Sequence, residues 1–108
     1  MEEKAFQYSR APALRRKINE ISEKDIRARI LGRIIDISDS TIIIDDGTGK
    51  ADIIFDPDML SVNVKTGDLV GVFARVLPLE EGFELRAEII QNMNGLDYEL
   101  YRKVFHGV

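Results

Sequence analysis

Cysteine and tryptophan are absent from the 108 residues, and histidine occurs once. Without cysteine there is no disulfide framework and no thiolate metal site, which fits a cytoplasmic protein. The single histidine, His106, stands near the end of the sequence with no partner for a metal cluster or a nucleophile–base pair. No apolar run reaches the length that crosses a bilayer, and Met1-Glu2-Glu3-Lys4 does not read as the start of a signal peptide. Gly47-Thr48-Gly49 is too short for a nucleotide-binding loop, and neither glycine-rich phosphate signature is present. The carboxylate pairs Asp45-Asp46 and Asp56-x-Asp58 lie among turn residues and read as turn formers. These absences argue against an enzyme, a metal site, a cofactor and a membrane protein.

What is present is an uneven charge distribution. The net charge of −4 sums two unlike parts. Residues 1–33 carry nine basic and five acidic side chains, a net of +4, and the rest carry six and fourteen, a net of −8. Polyanion binding follows local potential, so phosphate contacts are expected to concentrate in the first third.

The strongest local pattern is Thr41-Ile42-Ile43-Ile44-Asp45-Asp46-Gly47-Thr48-Gly49-Lys50-Ala51-Asp52-Ile53-Ile54-Phe55. A β-branched run, an Asp-Gly turn and a second apolar run predict a hairpin. Before it, Asp25 to Ser38 reads as a long strand, with Ile26, Ala28 and Ile30 on one face and Arg27, Arg29 and Arg33 on the other. Gly32 and a shift of the apolar phase to Ile35 and Ile37 predict a bulge or bend there. After the hairpin, Leu69 to Leu77 places Val70, Val72, Ala74 and Val76 inward and Phe73 and Arg75 outward. The last strand alternates Phe83, Leu85, Ala87 and Ile89 against Glu84, Arg86 and Glu88.

The flanks divide the chain. Residues 1–12 read as a flexible N-terminal arm, 13–93 as a barrel preceded by a lid segment, and 94–108 as an interaction helix. Leu14, Ile18 and Ile21 fall at helical spacing, although an extended arm fits them nearly as well. Leu96, Leu100, Tyr101, Val104 and Phe105 form an apolar helical stripe, with Asn94 as the expected N-cap and Gly107 as the stop. The predicted fold is mainly β: a five-stranded barrel with a short N-terminal segment and a C-terminal α-helix.

Four stretches carry a family resemblance: Arg27-Ala28-Arg29-Ile30-Leu31-Gly32-Arg33-Ile34-Ile35, Asp45-Asp46-Gly47-Thr48-Gly49-Lys50-Ala51, Gly67-Asp68-Leu69-Val70-Gly71-Val72, and Gly82-Phe83-Glu84-Leu85-Arg86-Ala87-Glu88-Ile89-Ile90. Over residues 14–105 the chain resembles the small subunits of archaeal replication protein A, members of the oligonucleotide/oligosaccharide-binding (OB) fold. The resemblance implies single-stranded-DNA binding in DNA replication and repair. It also implies a C-terminal helix that packs with helices of larger partner subunits.

The candidate nucleic-acid contacts are Arg27, Arg29, Arg33, Lys50, Lys65, Arg75, Phe83 and Arg86. Alternating arginines on a strand face can grip successive phosphates, or else form a charge ladder with Glu84 and Glu88. The outward hairpin positions, Ile43, Asp52 and Ile54, offer no aromatic platform for stacking, so the isolated chain is expected to bind DNA weakly. The candidate partner contacts are Leu96, Leu100, Tyr101, Val104 and Phe105. They would meet larger replication protein A-like subunits, lie on the chain's own barrel, or drive self-association when partners are absent. The alternative function is an autonomous single-stranded DNA or RNA module that uses the basic strand face.

Overall fold

In a computed structural model the described residues are 13–59 and 64–105. The expected N-terminal arm, His106 and the Gly107 stop lie outside them. The strands are β1 (Leu14–Arg15), β2 (Arg27–Ile37), β3 (Thr41–Asp45), β4 (Lys50–Ile54), β5 (Leu69–Pro78) and β6 (Phe83–Asn92), followed by helix α1 (Tyr98–Phe105). Single 3₁₀ turns occupy Ile18–Glu20 and Pro57–Met59.

Strands β2 to β6 close into a five-stranded barrel. Strand β2 pairs antiparallel with both β3 and β5, β3 with β4, and β5 with β6, while β4 and β6 close the ring as a parallel pair. One strand can serve two neighbours because its first half, Arg27–Arg33, faces β5 and its second half faces β3. Gly32 sits where these halves meet. A Cβ there would lie 2.9 Å from the carbonyl oxygen of Asp45, so only glycine allows β2 to approach β3 this closely.

Aliphatic β-branched side chains fill the barrel. Ile30, Ile34, Ile42, Ile44, Ile53 and Val72 are each at most 1% exposed, and they pack as one cluster with Ala28, Val70, Ala74 and Phe55. The inward set expected for β5 is buried throughout. Two phases differ from the sequence pattern. The irregularity in β2 falls between Ile34 and Asp36 rather than at Gly32, so Ile34 is buried and Ile35 is exposed. The β5–β6 register slips between Phe73 and Ala74, opposite Glu88, which turns Ile89 outward and Ile90 inward. In both places an extra residue reverses the strand's period of two.

The segment before the barrel is extended, not helical. Leu14–Arg15 runs parallel to β2, and Leu14 is exposed. Ile26 is likewise exposed, because β2 begins only at Arg27. The 3₁₀ turn then sets Ile18 into the core cluster. Asp46, only 1% exposed, fixes this crossing. Its Oδ2 accepts the Ile18 N–H at 2.8 Å, and its Oδ1 accepts both the backbone N–H and the hydroxyl of Thr48, at 2.8 and 2.6 Å. One buried carboxylate thus joins the N-terminal crossing to the β3–β4 turn, where Gly47 takes a positive φ of 89°.

Asn94 is not the N-cap of α1. Its Oδ1 accepts the Leu69 N–H at 2.7 Å and its Nδ2 donates to Asp68 at 3.0 Å, tying the end of β6 to the start of β5. Asp97 caps instead, accepting the Leu100 N–H at 3.1 Å, so the helix starts at Tyr98 rather than Leu96.

Candidate nucleic-acid and assembly surfaces

The outer face of β2, β5 and β6 carries three cross-strand rows. Arg27, Arg75 and Arg86 are successive register partners; Arg29, Phe73 and Ile89 form the next row, and Leu31, Gly71 and Gln91 the third. The closed barrel therefore gathers arginines that are far apart in sequence. Two of them are engaged. Arg27 donates to Glu88 through Nε at 2.7 Å and Nη2 at 3.0 Å, and these bonds hold its pKa above the ordinary arginine value against the opposing effect of burial. Arg86 donates to Glu84 at 2.8 Å. Arg75 is exposed between them. The Arg29 guanidinium lies 5.8 Å from the centre of the Phe73 ring, within cation–π range.

Arg33, two residues beyond Leu31 in the same unbroken register, continues this face along β2, whereas the remaining expected contacts lie apart from it. Arg33 donates to the Gly67 carbonyl at 3.2 Å and sits 5.6 Å from the Tyr98 ring. Lys50 is exposed at the start of β4, and Lys65 is exposed while its backbone N–H donates to Asp68 at 2.9 Å. The Asn94 side chain and this N–H hold the Asp68 carboxyl below its ordinary range. Phe83 packs against the core and borders a cavity of about 320 Å³ with Ile18, Lys50 and Asp52. Across the β3–β4 hairpin, Ile43 pairs with Asp52 and Thr41 with Ile54. That face is aliphatic and acidic, and Phe55 at its end is buried at 3% exposure.

Helix α1 has two unlike faces. Tyr98, Tyr101 and Arg102 turn toward the barrel. The Tyr98 ring lies within 6 Å of both Arg33 and Arg102, and the Arg102 guanidinium occupies the space that a Cβ on Gly47 would need. Burial raises the pKa of both tyrosines. On the opposite side Leu100 and Val104 are 57% and 62% exposed, whereas Leu96, which precedes the helix, borders the pocket beneath it. Tyr101 thus faces the barrel rather than the open stripe, and the Phe105 side chain lies outside the described residues. The docked face was legible as Tyr98, Tyr101 and Arg102 at i, i+3 and i+4, a second stripe beside the aliphatic one.

Beneath α1 is a half-open pocket of about 330 Å³, bordered by Arg15, Arg29, Phe73, Gln91, Met93 and Tyr101. Arg15 and Gln91 did not stand out in the sequence, because only the folded register brings them beside Phe73. Among the described residues no group of histidines and carboxylates could hold a metal ion, and no helix is long and apolar enough to cross a membrane.

A closed barrel with this strand order and an appended C-terminal helix is an OB fold. The telomere-capping protein Ten1 from Saccharomyces pombe superposes with a TM-score of 0.70 at 19% identity, covering 89% of this chain and 96% of Ten1. A chain of the S. pombe Stn1–Ten1 complex gives 0.70 at 17% identity, over 90% of this chain and 91% of that one. Replication protein A of U. maydis, bound to single-stranded DNA, gives 0.56 at 22% identity, over 74% of this chain and 72% of that one. No protein-family model and no curated protein matches the sequence.

Proposed function

We propose that this chain is a small OB-fold subunit of a replication protein A-like single-stranded-DNA-binding complex. It contributes mainly assembly, with weak DNA contact of its own. On this reading it serves DNA replication and repair as the small subunit of an archaeal complex. The observation that carries the proposal is the divided helix. A helix of eight residues is unstable alone in water. Here one face holds it to the barrel, and Leu100 and Val104 remain open to a second helix. Covering that stripe contributes a few kcal/mol at about 25 cal/mol per Å². The likeness to a chain of the Stn1–Ten1 complex and to replication protein A supports a subunit role.

Two features support weak intrinsic affinity. The hairpin face offers no aromatic side chain among the described residues, and Arg27 and Arg86 are already paired with glutamates. The isolated chain should bind oligo-dT with a Kd that is roughly micromolar or weaker, since each stacked base supplies only about 1–3 kcal/mol. Nanomolar binding near physiological salt would favour the autonomous module instead.

The assembly test is the double variant Leu100→Asp, Val104→Asp. Both side chains are exposed, so the barrel's far-UV signal should persist while co-purification with larger subunits, or self-association in their absence, is lost. Retained assembly would show that the stripe is not the interface. Unfolding of the barrel would place the helix in the monomer's own core.

A further inference from the structure

We propose that the pocket beneath α1 seats one nucleobase of a single DNA strand, with the adjoining phosphate on Arg15 and Arg29. The inference rests on the DNA-contact reading above and assigns that contact to the β2–β5–β6 face rather than to the hairpin.

Charge comes first. The cavity beside Phe83 includes Asp52, and a smaller one at the end of β4 includes Asp56. The pocket beneath α1 has two arginines and no carboxylate on its walls, in a chain of net charge −4. That composition selects an anion. The walls are otherwise mostly apolar, with the rings of Phe73 from β5 and Tyr101 from α1 beside Met93 and the aliphatic Ile30, Leu31 and Leu96. A ligand that is planar on one side and anionic on the other matches both parts. Gln91 supplies an amide whose oxygen accepts and whose nitrogen donates, which suits the edge of a base. A volume of about 330 Å³ lies at the lower end of small-ligand pockets, roughly 300–1,000 Å³, so it admits a single nucleoside. In the row beside it Arg27 and Arg86 are paired with Glu88 and Glu84, and the exposed Arg75 between them marks the side on which a strand would leave.

Gly71 supplies the decisive variant. A Cβ on it would point among Met93, Leu31 and Gln91 at 3.5–4.0 Å, ordinary contact distances, and its φ is not positive. The backbone therefore admits a Cβ at this position, and the methyl groups of Gly71→Val would enlarge it among the pocket walls. Oligo-dT binding is measured at low salt for the wild type, Gly71→Val, Gln91→Glu and Ile43→Ala, each checked by far-UV circular dichroism. Gly71→Val and Gln91→Glu should each weaken binding about tenfold, the scale of one lost stacked base. Ile43→Ala, on the hairpin face, should leave it unchanged. Backbone amide shifts on adding oligo-dT should centre on Gly71, Phe73 and Gln91. Should the exposed Gln91→Glu variant and the shift map both point elsewhere while the wild type binds, the pocket is not the base site and the subunit reading stands. Gly71→Val failing to fold leaves the decision to those two measurements. No binding by the wild type at any salt would overturn the DNA-contact reading and this inference together.

Discussion

The barrel and the helix attached to it are held by different physics. In the barrel every strand has two neighbours, and aliphatic side chains from all five strands meet in one cluster. Helix α1 has no such enclosure. It rests on two tyrosines and an arginine laid over the β3–β4 turn and the edge of β2, and it leaves its aliphatic side uncovered. The barrel is closed on itself, whereas the helix has one face docked and its aliphatic face exposed.

The comparison breaks most visibly at the centre of the barrel. Ile53 is fully buried on β4, the strand that closes the ring against β6. Ile53→Ala should cost about 2–5 kcal/mol through lost burial and the cavity left behind. Chemical denaturation should show strand and helix signals lost together, because the helix has no platform once the ring opens. Independent survival of the helix signal would contradict the dependence described here.

Asp46 tests the junction between the two regions. Asp46→Ala strands the Ile18 N–H and both Thr48 donors, at a cost of about 2–3 kcal/mol. The loss should appear first in hydrogen exchange at Ile18 and Thr48, with the β2–β5 amides protected longer. It should also loosen α1, since Arg102 lies against Gly47 in the same turn. Uniform loss of protection would mean that the turn and the barrel are one cooperative unit.

How much of this was legible depends on how local the determinant is. The hairpin and the inward set Val70, Val72, Ala74 and Val76 follow from strict alternation, and their burial agrees. Ile35 and Ile89 were misplaced because an irregularity inserts one residue without leaving a mark in composition. Asp46 looks like any turn aspartate, and its role arises only when Ile18 arrives from 28 residues away. The cap moved from Asn94 to Asp97 because Asn94 was needed by Asp68 and Leu69, a demand set by tertiary structure. For the candidate site, strand alternation put Arg27 and Arg29 on one face, but the row through Arg75 and Arg86 exists only once the barrel closes.

The smallest effect separates the regions by pH. Burial raises the pKa of Tyr98 and Tyr101 above the ordinary tyrosine value of about 10. In the docked helix these phenols hold their protons more tightly than when the helix is released. Their contribution to docking is therefore fully present below pH ~10 and is lost as the pH rises through the raised, docked-state values. Among the described residues the barrel's core cluster contains no titratable group, so it has no equivalent response in this window. Raising the pH past about 10 should free α1 before the strands melt. Near-UV circular dichroism of the tyrosines should change first, with the far-UV strand signal following only at higher pH. Replacing both residues, Tyr98→Phe with Tyr101→Phe, should remove the early step, read in this variant from amide hydrogen exchange of α1, and leave the later one in place. If the two signals instead change together in the wild type, the helix and the barrel share one transition, and the division between a closed interior and a helix docked on one face fails.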